Sequence, residues 1–83
     1  MEKKYWSKVV SKILKAELAK RDMSYNKLVE KLVEIDVKIK VEDLRSRVSR
    51  GNFSAALFIQ CFKAMNIKSL PLDESYFERE SEK

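Results

Sequence analysis

The stretch Val41-Glu-Asp-Leu-Arg-Ser-Arg-Val-Ser-Arg-Gly-Asn-Phe-Ser54 decides the fold. Leu44 and Val48 stand four apart, so on a helix they share one face. Arg45, Arg47 and Arg50, with Ser46 and Ser49, fall largely on the faces those two leave open. Gly51 can take the left-handed conformation that ends a helix, and Ser54 can cap the next one. The segment therefore predicts a helix over 41–50, a turn with Phe53 as a buried corner anchor, and a further helix from 55. A short helix held by two aliphatics and turning arginines and small hydroxyls outward has the chemistry of a DNA recognition helix. Arginine pairs with phosphate or bidentately with guanine, and serine donates to phosphates without blocking close approach.

Upstream, Trp6, Val9, Val10, Ile13, Leu14 and Leu18 recur at three- and four-residue spacing and predict a helix over 5–22. Lys4, Lys8, Lys12 and Lys15 run along another of its faces, a stripe that suits solvent before it suits DNA. Glu17 and Arg21 are spaced to pair. Ser24 caps an expected second helix over 25–35 with Leu28, Val29, Leu32, Val33 and Ile35 inward. Its exposed start, Ser24-Tyr25-Asn26, offers backbone N–H groups to a phosphate. Residues 36–40 alternate, with Val37 and Ile39 inward and Lys38 and Lys40 outward; strand and loop both fit.

Downstream, residues 55–65 are apolar nearly all round, which predicts a central, buried helix. Asn66 suits a left-handed C-cap. Residues 67–72 read as extended, and Pro71 cannot sit in a central strand. Asp73 can cap a short final helix over 74–80, whose Tyr76 and Phe77 either fold back on the core or bury against a second copy.

The charge is uneven. The net value is +5, but residues 1–72 carry +8 and residues 73–83 carry −3. A basic body, residues 1–72, with an acidic C-terminal tail, residues 73–83, suits a polyanionic partner for the body. Catalytic chemistry finds little to use among 83 residues with no histidine, one cysteine and one glycine. Cys61 has no histidine to activate it, zinc has no Cys/His ligand set, and no phosphate-binding glycine loop can form. Neither a metal nor a cofactor is expected, and the function is not expected to be enzymatic. A lone cysteine inside an apolar run, with no signal-like or membrane-spanning segment, points to the cytoplasm.

The order of elements resembles the lambda-repressor-like helix-turn-helix family over about residues 12–67. The resemblance rests on Leu14 and Leu18 before Ser24-x-x-x-Leu28, then Leu44, Val48-Ser49, Gly51, and Leu57 to Met65. It implies an all-α, compact bundle of four to five helices, here with an extended connection between helices 2 and 3. The chain is also similar to a small bacterial family of uncharacterised domains. Trp6, Leu14-Lys-Ala-Glu-Leu-Ala19, Ser24-Tyr25, Leu44-Arg45, Ser49-Arg50-Gly51 and Phe53-Ser54-Ala55-Ala56 carry that likeness. It implies a shared fold and brings no activity.

The functional expectation is a DNA-binding transcriptional regulator. Arg45, Ser46, Arg47, Ser49 and Arg50 would meet double-stranded DNA, with Lys38, Lys40, Ser24, Tyr25 and Asn26 on its backbone. A homodimer through Leu70, Leu72, Tyr76 and Phe77 is expected on the same reading. The alternative is a helical protein–protein interaction module, antitoxin-like or adaptor, with Trp6, Tyr76 and Phe77 as its interface.

Overall fold

Local chemistry sets the helix boundaries in the computed structural model, which describes residues 2–77. The chain forms α1 (Glu2–Lys20), α2 (Tyr25–Glu34), α3 (Val41–Arg50), α4 (Ala55–Ala64) and a final 3-10 turn, η1 (Glu74–Phe77). There is no strand among the described residues, so the fold is an all-α small bundle and residues 37–40 are a loop. Within that loop the alternation holds: Val37 and Ile39 pack on the core while Lys38 and Lys40 are exposed.

Two starts are capped by serine. Ser24 Oγ accepts from the Lys27 N–H and Ser54 Oγ from the Leu57 N–H, each at 3.1 Å. Each such cap is worth about 1 kcal/mol. The four helix ends share one device, a residue with positive φ followed by a bond reaching back five residues. Met23 N–H donates to Leu18, Val37 to Leu32, Asn52 to Arg47 and Ile67 to Phe62. The residues before those donors are Asp22, Asp36, Gly51 and Asn66, with φ of 52°, 64°, 66° and 61°. This satisfies carbonyls that a helix end otherwise leaves open. It also ends α1 at Lys20, short of the expected residue 22, because Asp22 has already left helical geometry.

Only one of those four positions is glycine, and packing explains why. Asp and Asn tolerate the left-handed region at modest cost. At Gly51 a Cβ would lie 1.8 Å from the Ser7 carbonyl oxygen of α1. Absence of the side chain lets the end of α3 sit against the backbone of α1.

The helices neighbour one another in the order η1, α1, α3, α2, α4. Leu14, Leu28, Leu32, Leu44, Val48 and Cys61 are fully buried between them. Glu17 is also buried, held by ion pairs with Arg21 and, at 3.3 Å, Lys20. Burial pushes the Cys61 thiol up to about 12. A thiol so placed should resist a thiolate-selective reagent at pH 8 and react promptly once the protein is unfolded. Fast labelling of the native protein, read by mass spectrometry, would contradict the packing of α4.

Several expectations fail here, among them Val33, read as inward on α2 but 49% exposed. Trp6 lies on the apolar stripe of α1 yet is 50% exposed. Its ring meets the edges of Tyr5 and Phe77. α4 is not central: it packs on α2 at the flank, burying Cys61, Phe62 and Met65 while Ile59 is 66% exposed. Tyr76 is buried and Phe77 half-buried against this same chain, with Tyr5 Oη donating to the Phe77 carbonyl at 2.8 Å. Those two aromatics therefore take the first of the two expected courses and cover α1. The expected helix over 74–80 is a single turn, Glu74–Phe77, and residues 78–80 lie outside those described.

Candidate nucleic-acid interface

α3 has the boundaries its sequence implies and buries Leu44 and Val48 completely. At about 100° per residue, that anchoring puts Arg45 and Arg47 about 200° apart, on opposite edges of the exposed arc. Ser46, Ser49 and Arg50 lie between them. Ser46 is half-buried; the other four are exposed. Glu42 and Asp43 also occupy this arc, in the first helical turn, where they suit the positive end of the helix dipole. Among the described residues no arginine of α3 forms an ion pair, with those acids or any other.

Each edge of α3 borders a shallow depression. On one side Arg45 meets Ser24, Tyr25 and Asn26 at the start of α2, together with Lys15 and the apolar Leu18 and Met23. The Arg45 guanidinium carbon stands 5.4 Å from the centre of the Tyr25 ring. That cation–π contact holds the guanidinium beside the open end of α2. No acid lines this depression. On the other side Arg47 joins Lys38, Lys40 and the α4 cap Ser54, with Glu42 and Asp43. Three cations there face two carboxylates, so the first depression carries the cleaner positive field.

The fold thus gathers the sequence's candidates into two groups: Arg45 with Ser24, Tyr25 and Asn26, and Arg47 with Lys38 and Lys40. Ser49 and Arg50 border neither depression and stand on the crest between them. Two residues were missing from the sequence reading. Lys15 looked like part of a solvated stripe, since nothing in its spacing says that the chain doubles back to place α2 beside it. Ser54 was legible as a cap, but not as a neighbour of Lys38 and Lys40.

No cluster of metal-ligating side chains occurs among the described residues, and no described helix is long and apolar enough to cross a membrane. The chain belongs to the family described as a domain of unknown function (DUF6471), which matches residues 6–70. No curated protein and no solved structure matches the chain.

Proposed function

We propose that this member of the DUF6471 family is a DNA-binding protein of helix-turn-helix type, acting as a transcriptional regulator. α3 lies in the major groove and α2 crosses the backbone beside it. The single observation that carries the reading is the depression, lined by no acid, that Arg45 and Lys15 share with the first residues of α2, a helix N-terminus beside two cations being suited to phosphate. Residues 35–40 separate the two helices, and this longer connection supplies Lys38 and Lys40 to the other edge of α3.

The roles divide by position on α3. A helix in a groove about 12 Å wide presents its edges to the two phosphate walls and its crest to the bases. Arg45 and Arg47, on the edges, clamp the two strands. Ser49 and Arg50, on the crest, face base edges. Ser46, half-buried between the edges, offers its short hydroxyl to a phosphate or a base edge. Lys15, Lys38 and Lys40 add backbone contacts that position the domain without reading sequence.

The half-exposed Trp6 keeps the interaction-module reading alive as the second choice. Titrating a fluorescently labelled random duplex with the protein at low salt separates the two. Saturable binding in the micromolar range, as non-specific contacts of this kind give, is the expected result. No change in anisotropy up to about 100 μM, well above non-specific affinities at low salt, would leave the interaction module as the better account.

A further inference from the structure

The outer face of α4, which has no helical neighbour among the described residues, forms an apolar groove with the segment that follows it. Phe58, Ile59, Phe62, Ile67 and Leu70 line it, with Lys63 and Lys68 also bordering it. The Phe58 ring packs on Phe62, with centroids 4.8 Å apart, and on Phe53 behind it, so the floor is largely aromatic. Ile59 is 66% and Leu70 49% exposed, although each has a side chain that burial would favour by about 1.5–3 kcal/mol.

Two residues beyond the groove, the chain displays the complement of this surface. Leu72 is 57% exposed, and Asp73 and Glu74, directly after it, are also exposed. The Ser75 hydroxyl and backbone N–H donate to the Asp73 carboxylate, which fixes its orientation and holds its pKa below the usual range. An apolar side chain followed by two carboxylates matches an apolar floor bordered by two lysines.

We propose that the groove is the docking site for a second copy of this chain. Leu72-Asp73-Glu74 of each copy seats on the other copy's Phe58–Ile59–Phe62 floor, its carboxylates facing the other copy's Lys63 and Lys68. Groove and displayed segment lie next to each other in the chain, so one two-fold axis satisfies both contacts reciprocally. This moves the interface away from Tyr76 and Phe77, which the chain uses on itself. It does not depend on DNA binding, because association is measured with DNA absent.

The test is sedimentation velocity on the full chain between about 1 and 300 μM, a range spanning ordinary weak dimers. The wild type is expected to pass from monomer to dimer. Ile59→Glu, at a position already exposed and so compatible with folding, should weaken association at least tenfold. Lys63→Glu with Lys68→Glu should weaken it similarly, and adding Glu74→Lys to that pair should recover part of the loss. A wild type that stays monomeric throughout overturns the proposal. So does a dimer indifferent to Ile59→Glu. A dimer that loses affinity with the lysine changes but gains nothing from Glu74→Lys rules out the Leu72-Asp73-Glu74 segment as the occupant.

Discussion

Gly51→Ala should cost about 2–5 kcal/mol, a large share of the stability of a domain of this size. Two effects add. A non-glycine residue in the left-handed region costs about 1–2 kcal/mol. Forcing atoms into a packed space costs about another 1–3 kcal/mol, and here the added carbon would stand 1.8 Å from the Ser7 oxygen, so α1 and α3 must separate. Gly51→Asn distinguishes the two effects. Asparagine relieves the backbone cost but keeps the Cβ, so it should fare little better than alanine. The reverse change at the matching position of α4, Asn66→Gly, should be near neutral, because Asn66 already sits at a φ of 61°. Urea denaturation followed by circular dichroism measures all three. A Gly51→Asn variant close to wild type in stability would mean that the α1–α3 contact is not as tight as described.

Replacing Arg45, Arg47 and Arg50 together by alanine should weaken binding to duplex DNA by more than about a hundredfold at moderate salt. Each phosphate-clamping or base-reading arginine contributes on the order of 1–3 kcal/mol, and a factor of ten is about 1.4 kcal/mol. The single variants should differ in kind. Arg45→Ala and Arg47→Ala should lower affinity for all sequences alike, whereas Arg50→Ala should flatten preference among sequences. Folding should survive, since all three side chains are exposed and make no ion pair among the described residues. Arg45→Ala loses its contact with Tyr25, worth about 0.5–1 kcal/mol. A triple variant that folds and binds DNA as well as the wild type would place the interface elsewhere.

The physical reasons for what could be read from the sequence are specific. α3 was legible to the residue because its anchors, its acidic first turn and its glycine stop all lie within ten positions of one another. The serine caps were legible for the same reason. Asp22 and Asp36 were not, because aspartate at a helix end carries several meanings, and only the following apolar residue folding back marks it as a left-handed stop. The placement of α4 was misjudged because apolarity all round says that a helix wants covering and does not say that the chain has enough length to cover it. Trp6 failed likewise: its register fits the apolar stripe, and register does not say how fully that end of α1 is covered. Lys15 was hidden because its partners, Arg45 and the start of α2, reach it through tertiary contact alone. Sequence periodicity thus exposes which face of an element is apolar, whereas the site depends on which elements meet.

The salt dependence of binding to a random duplex tests the central claim most directly. The account assigns five cations to phosphate, namely Lys15, Lys38, Lys40, Arg45 and Arg47. Each neutralised phosphate contributes about −0.9 to the slope of log affinity against log salt. The expected slope is therefore about −4 to −5, falling in steepness by about one when either edge arginine is replaced. An affinity that hardly changes between low and moderate salt would contradict the assignment of α3 and its flanks to DNA.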